Sequence, residues 1–203
     1  MSEQTVVLDR DAMRRTLVRI AHEIVEKNPP TTALAAEANP APGFAIVGIH
    51  RRGAVLAQRL QRLTSELTGA DVAIGSVDIS FYRDDLATRQ SAPVVRSTQL
   101  DFPLDGRTIV IVDDVLYTGR TVRAAIDVLF DYGRPARVQL AALIDRGHRE
   151  LPIRPDYVGK NLPTAVHQHV RVLVQELDGA EEVVIESNEQ RVADRATPAA
   201  GGN

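Results

Sequence analysis

The sequence predicts an α/β fold with a mostly parallel central sheet flanked by helices. Three stretches carry that expectation. Thr108 to Val112 is a short apolar run rich in β-branched residues, as expected of a strand buried on both faces, and Phe44 to Ile49 and Val138 to Ile144 share its character. The first two strands in chain order are each followed by apolar residues at helical spacing: Ala54 to Leu67 after one, and Val122, Ala125, Ile126, Leu129 and Phe130 after the other. Strands alternating with helices are the pattern of a parallel sheet.

In chain order, the first expected element is a helix after Leu8 and Asp9. Its apolar side carries Ala12, Met13, Leu17, Ile20, Ala21, Ile24 and Val25, and Asn28, Pro29 and Pro30 end it. Pro29 to Gly43 holds four prolines among small residues and reads as an exposed, mobile connection. The strand at Phe44 turns through His50, Arg51, Arg52 and Gly53 into a helix that reaches Gly69. Val72 to Phe81 has strand character interrupted at Gly75, and Tyr82 to Gln99 is polar without a period. Thr121 to Tyr132 is the second helix of the αβ repeat, with Gly133 as its stop. After Ile144 comes a Gly, Pro and charge-rich segment, then β-like stretches at Val170 to Leu177 and Val183 to Ile185. Residues 187–203 read as a disordered tail.

Composition bounds the rest. The 203 residues are 44% apolar, enough for one well-packed domain over residues 1–186 but hardly two. With no cysteine there is neither a disulfide framework nor a thiolate metal site. No signal-peptide core and no apolar run of membrane-spanning length is present, so a cytoplasmic protein without a membrane partner is expected. The formal charge of −3 gives no global attraction to nucleic acid, and any such binding needs a local basic patch.

The chemistry concentrates at strand ends. Asp113 and Asp114 close the apolar strand, and Thr118, Gly119, Arg120 and Thr121 then turn into the helix. Loop amides and the positive end of a helix can hold a phosphate there, with Gly119 allowing close backbone approach. Carboxylates repel phosphate, so the two aspartates should face hydroxyls, a cation or a developing positive charge. A ribose 5-phosphate meets both demands. Arg51 and Arg52 stand at the end of the other strand, where cations and helix-end amides suit a diphosphate. Taken singly, a Thr-Gly turn is also an ordinary cap and a basic helix start an ordinary solvated one.

The string VDDVLYTGRT resembles the signature of the type I phosphoribosyltransferases. Together with DISFYRDD from Asp78, LIDRGHRELPIRPDYVGKNLPT from Leu143 and the early RIAHEIVEKN, it resembles the pyrimidine-operon regulatory proteins of PyrR type, over about Val6 to Ile185. The resemblance implies the type I phosphoribosyltransferase fold with a small hood formed mainly by 145–170. It also implies transfer of ribose 5-phosphate from 5-phosphoribosyl 1-diphosphate to uracil, giving UMP and diphosphate. The cofactor implied is Mg2+, bound mainly through the diphosphate and not held directly by the protein. On this likeness Asp113 and Asp114 are catalytic, Val115, Leu116, Tyr117, Thr118, Gly119, Arg120 and Thr121 hold the 5-phosphate, and Arg51 and Arg52 hold the diphosphate. Arg96, or Arg83 or Arg89, closes over the diphosphate from a lid, and Arg146 and the backbone near Val170 contact the nucleotide. Tyr157, Val158, Gly159 and Lys160 lie near the base.

The same likeness implies UMP-dependent binding to the pyr mRNA leader, by transcription attenuation or translational repression, through Arg15, Arg19 and His22 with Arg146, His148, Arg149 and Lys160. Arg15, Arg19 and His22 are also spaced as an ordinary solvated helix face. The family's helix commonly has Thr where this chain has Val18, which removes one hydroxyl donor. A homodimer or larger homo-oligomer is expected. The alternative is a salvage phosphoribosyltransferase for another base, such as a purine, without an RNA function.

Overall fold

The computed structural model describes residues 3–29, 43–80 and 98–187. The proline-rich stretch before Gly43, the polar segment holding Arg83, Arg89 and Arg96, and the tail beyond Ser187 lie outside the described residues. Eight strands and four helices are described. They are β1 (Glu3–Leu8), α1 (Arg10–Lys27), β2 (Phe44–Ile49), α2 (Arg52–Thr68), β3 (Ala73–Val77), β4 (Thr108–Leu116), α3 (Arg120–Tyr132), β5 (Arg137–Asp145), β6 (Tyr157–Asn161), β7 (Gln168–Leu173), α4 (Gln175–Asp178) and β8 (Glu182–Ser187).

Five strands form an all-parallel sheet in the order β3-β2-β4-β5-β6, as the alternation of strands and helices predicts. Its apolar runs are continuous because both faces are covered. In β4, Ile109 and Ile111 face a cluster with Val122, Ala125, Val128 and Leu129 of α3, while Val110 and Val112 face one with Met13, Leu17 and Ile20 of α1 and Leu56 and Leu60 of α2. This period of two, with both parities apolar, distinguishes a doubly buried strand from an edge strand.

The helices start and stop for local reasons. Asp9 caps α1 by accepting the Ala12 N–H at 2.7 Å, and α1 buries Met13, Leu17, Ile20, Ala21 and Ile24. At its other end the Asn28 side chain donates to Ile24 O and to Gln139 Oε1, both at 2.9 Å, so the helix end is tied to β5. Gly69, at φ +65°, closes α2 in the left-handed region.

The structure departs from the sequence pattern at several places. The chain opens with strand β1, which the sequence reading passed over. It pairs antiparallel with β8, and β8 with β7, in a second sheet of order β1-β8-β7. Within the segment 145–170, for which the resemblance implies a hood, β6 pairs with β5 at the edge of the large sheet. Ser187, expected in the tail, ends β8 opposite Glu3 and Gln168. Gly75 does not interrupt β3: it lies inside the strand, where an added Cβ would stand 2.7 Å from the Gln99 carbonyl oxygen of a crossing segment. The stretch expected to run on to Leu177 stops at Leu173, and Val174 leads into the short α4. No helix among the described residues is long and apolar enough to cross a membrane.

Gly48 and Gly53 set how closely α2 approaches the sheet. A Cβ on Gly48 would lie 2.4 Å from Ala54 Cα, and one on Gly53 would lie 2.5 Å from the Val112 carbonyl oxygen. Gly48→Ala is therefore expected to destabilise the protein by about 1–3 kcal/mol through backbone overpacking. Urea denaturation of the variant checks this, and an unchanged midpoint would contradict it.

Candidate active site

β2 and β4 are neighbours in the sheet, but the chain leaves β2 through α2 toward β3 on one side and leaves β4 through α3 toward β5 on the other. A crevice opens beyond the carboxyl ends of strands at such a switch point, the usual ligand site of an open α/β sheet. The acidic pair projects here. The sequence suggested carboxylates following the strand, yet β4 continues through them to Leu116, with Asp113 opposite Ala142 and Val115 opposite Ile144. The carboxylates are thus carried by a paired strand. Asp113 is only 6% exposed, and its Oδ1 accepts the Asp114 N–H at 3.0 Å; Asp114 Oδ1 accepts the Val115 N–H at 2.9 Å. The alternation slips across this pair, since Ile111 and Leu116 pack in the α3 cluster while Val112 and Val115 pack in the other.

The expected phosphate segment 115–121 begins inside the sheet. Leu116 is fully buried in β4 and Val115 packs against the core, so their side chains serve the sheet. The turn itself is Tyr117, Thr118 and Gly119, and Gly119 takes φ +93°, which favours glycine. Gly119 at the N-cap offers no side chain to α3; Thr118 Oγ1 accepts the Arg120 N–H at 3.3 Å, and the first-turn N–H groups have no acceptor within the helix. The carbonyls of the turn face outward. Leu116 O accepts the Arg146 N–H at 3.1 Å, and Thr118 O accepts those of Glu150 and Leu151 at 3.0 and 3.1 Å. An anion can be met on the inner side by amides alone.

The β2–α2 turn faces the same crevice. Its His50–Arg51 peptide is cis, and α2 begins without a side-chain cap or an acidic residue in its first turn. Arg51 is exposed. Arg52 is not: its guanidinium donates to Asp178 of α4 at 2.7 and 3.2 Å, and the Val174 N–H steadies the same carboxylate at 2.9 Å. This hydrogen bond, with help from the charge of Asp114, raises the Arg52 pKa above its ordinary value and holds Asp178 below the usual carboxylate range.

Residues 7–177 match the phosphoribosyl transferase domain family. The chain belongs to that family. Among its relatives, the bifunctional protein PyrR of Pelotomaculum thermopropionicum is 54% identical over 183 residues, covering 90% of this chain and 96% of the relative. The bifunctional protein PyrR of Deinococcus radiodurans is 53% identical over 178 residues, covering 88% and 92%. At that identity and coverage this phosphoribosyltransferase is a member of the PyrR group. In fold it is similar to the hypoxanthine phosphoribosyltransferases of Trypanosoma cruzi, with TM-score 0.64, 17% identity and coverage of 91% and 97%, and of Staphylococcus aureus, with TM-score 0.62, 18% identity and coverage of 93% and 94%.

The remaining candidates of this phosphoribosyltransferase divide into exposed and committed residues. Arg146, expected to touch both nucleotide and RNA, is 6% exposed and points inward. It donates to Thr164 Oγ1 at 3.1 Å and Gln168 O at 2.9 Å, and its guanidinium lies 4.3 Å from the centre of the Tyr117 ring. Burial pulls its pKa down and Tyr117 opposes the shift. So placed, Arg146 is unsuited to an RNA surface. His148 rests edge-on to Tyr117 at 5.8 Å and bonds Thr164 O at 2.6 Å, while Arg149 is bound within its own segment and to Tyr117. Arg120 pairs with Glu150 in the open at 2.7 Å, a contact of small energetic weight. Val170 sits in mid-β7 opposite Ile185 and packs against the core. Arg96 lies outside the described residues.

On α1, Arg15 and His22 are exposed and make no hydrogen bond or ion pair among the described residues. Arg19 donates to Val158 O and Gly159 O at 2.8 and 2.7 Å, and Lys160 reaches Val7 O at 3.4 Å, so α1 and β6 meet along one edge. Tyr157, placed near the base by the sequence, is instead a core residue 1% exposed. Its hydroxyl donates to Gln139 Oε1 at 3.0 Å and accepts from Asn28 at 3.1 Å, level with Ala141 and below the carboxyl edge. Burial chiefly pushes that hydroxyl's pKa up, which keeps it neutral and hydrogen-bonded.

Asp178 escaped the sequence reading because nothing local marks it: its partner is 126 positions away. Since Arg52 lowers the pKa of Asp178 in the folded chain, the pair contributes stability above the unfolded value of 3.8 and loses it as pH falls through the lower folded value. Asp178→Asn should show a shallower stability loss than the wild type between about pH 4 and pH 2. Urea titrations across that range check it, and parallel curves would refute it.

Proposed function

We propose that this chain transfers ribose 5-phosphate from 5-phosphoribosyl 1-diphosphate to uracil, and that with UMP bound it recognises the leader of pyrimidine mRNA to control expression. The observation that carries the reading is the carboxyl-edge crevice, where two aspartates on β4 lie between two helix starts without side-chain caps. Identity of 50–54% to curated PyrR proteins favours uracil and RNA over salvage of a purine. The likeness to hypoxanthine phosphoribosyltransferases, at 13–20% identity, speaks to fold alone.

The 5-phosphate is met by the Thr118 to Thr121 amides, away from the carboxylates. The ribose hydroxyls face Asp113 and Asp114. As the bond from C1 to the diphosphate breaks, the electron pair leaves with the diphosphate and the ring becomes cationic. Two fixed carboxylates stabilise that cation more than the neutral ground state. Uracil N1 forms the new bond to C1 and gives up its proton to the released diphosphate. Arg51 meets the diphosphate from the β2–α2 turn, and Arg52 joins it by leaving Asp178. Mg2+, held mainly through the diphosphate beside Asp113 and Asp114, would offset charge on the leaving group. Nucleotides and mRNA place the work in the cytoplasm.

Mixing the protein with 5-phosphoribosyl 1-diphosphate, Mg2+ and either uracil, hypoxanthine or orotate should give nucleotide from uracil. Asp114→Asn should lower kcat by about 100-fold or more. Formation of IMP without UMP would sink the uracil assignment.

For RNA, the free cations of α1 are the contacts the reading needs. Arg15→Ala should weaken binding of the chain's own operon leader and reduce the slope of log affinity against log salt by about 1. Filter binding with and without UMP measures both effects. Affinity indifferent to UMP would reject the regulatory half of the proposal.

A further inference from the structure

Arg149 makes more contacts with the phosphate turn and its surroundings than its sequence context suggests. Its Nη1 donates to Tyr117 O at 2.8 Å and Gly147 O at 3.2 Å, its Nη2 to Asp145 Oδ2 at 2.6 Å, and its Nε to Ile153 O at 2.9 Å. Asp145 itself is anchored, since Oδ1 accepts the Gly147 N–H at 3.0 Å. Four hydrogen bonds leave the guanidinium a single N–H donor for any other partner.

The contact with Tyr117 O has a directional consequence. In a trans peptide the C=O of one residue and the N–H of the next lie in one plane and point in opposite directions. Holding the Tyr117 carbonyl outward therefore aims the Thr118 N–H inward. Bonds from the Glu150 and Leu151 N–H groups to Thr118 O do the same for the Gly119 N–H. A flip of the first peptide would replace a donor by a carbonyl oxygen facing the phosphate. That flip turns on ψ of Tyr117 and φ of Thr118, and the 2.8 Å bond from Arg149 to Tyr117 O opposes it.

We infer that Arg149 is a positioning residue: it fixes the Tyr117–Thr118 peptide so that the turn presents only N–H groups to the 5-phosphate, and it acts through this geometry and not through its charge. The inference rests on the assignment of that turn to the 5-phosphate. Its selectivity follows from location, because a misaimed amide harms binding of the phosphate and leaves recognition of base and ribose intact.

The test compares UMP with uridine, which lacks the phosphate, on the full chain by titration calorimetry, for the wild type, Arg149→Gln and Arg149→Lys. Lysine keeps the charge but cannot span the same acceptors. Both variants should bind UMP about tenfold more weakly or worse and bind uridine as the wild type does. The KM for 5-phosphoribosyl 1-diphosphate should rise while that for uracil holds. Should Arg149→Gln fail to fold, Arg149→Lys decides alone. Wild-type UMP affinity in Arg149→Lys would mean the residue acts by charge, and a parallel loss for UMP and uridine would mean a general structural role; either overturns the inference. A wild type that binds UMP and uridine alike would remove the assignment of the turn itself, and the inference with it.

Discussion

The first turn of α2 passes directly over the carbonyl end of β4, and it can do so only where two residues have no side chain. Gly48 lets β2 and the start of α2 lie against each other, and Gly53 lets α2 touch Val112 just before the aspartates. Everything at the crevice inherits its spacing from this contact. It brings the cationic turn of β2 within electrostatic reach of Asp114, whose charge adds to the larger effect of the Asp178 hydrogen bond in raising the Arg52 pKa. It also closes one side of the crevice with backbone amides instead of side chains, which suits a densely charged ligand. A methyl group at either glycine would separate the two halves of the site before altering any functional group.

The site opposes like and unlike charges by layering. The aspartates ride on a strand whose neighbours on both sides are apolar, so their positions are fixed by sheet register. The turn at Tyr117 to Gly119 has no such frame. Its rigidity is borrowed from the segment after β5, whose N–H groups and arginines take up the outward carbonyls. Arg146 completes this arrangement from below, with its guanidinium against the Tyr117 ring and its hydrogen bonds on the approach to β7. Arg146 and Arg149, which look like a basic surface in the sequence, thus turn partly inward, while Arg15 and His22 of α1 are exposed.

Much of this could be read from residue patterns, and the failures have physical causes. The doubly apolar runs of β2, β4 and β5 and the helical period of α1 and α3 are strong local signals, and the structure follows them to within a few residues. The acidic pair and the Thr-Gly turn declare their chemistry by adjacency. β1 escaped because a six-residue edge strand with Val6 exposed has only half an apolar pattern. The roles of Arg52, Arg146 and Tyr157 escaped because their partners, Asp178, Thr164 and Gln139, come from other parts of the chain. A cation in a one-dimensional string carries no mark of whether it meets a ligand or a carboxylate.

The small sheet joins positions near the two ends of the chain. Glu3 pairs with Ser187, whereas β4 and β5 are separated only by α3 and its turns. Contacts that close such long loops form late, because the entropy of closure precedes any gain from pairing. During synthesis β1 must therefore wait, its edge unsatisfied, until β8 has left the ribosome. Asp178 precedes β8 by only a few residues, so Arg52 also lacks its acid partner for most of that time. The parallel sheet and its aspartates can assemble on a nascent chain, but the full ion-paired surround of the β2–α2 turn belongs to the finished molecule.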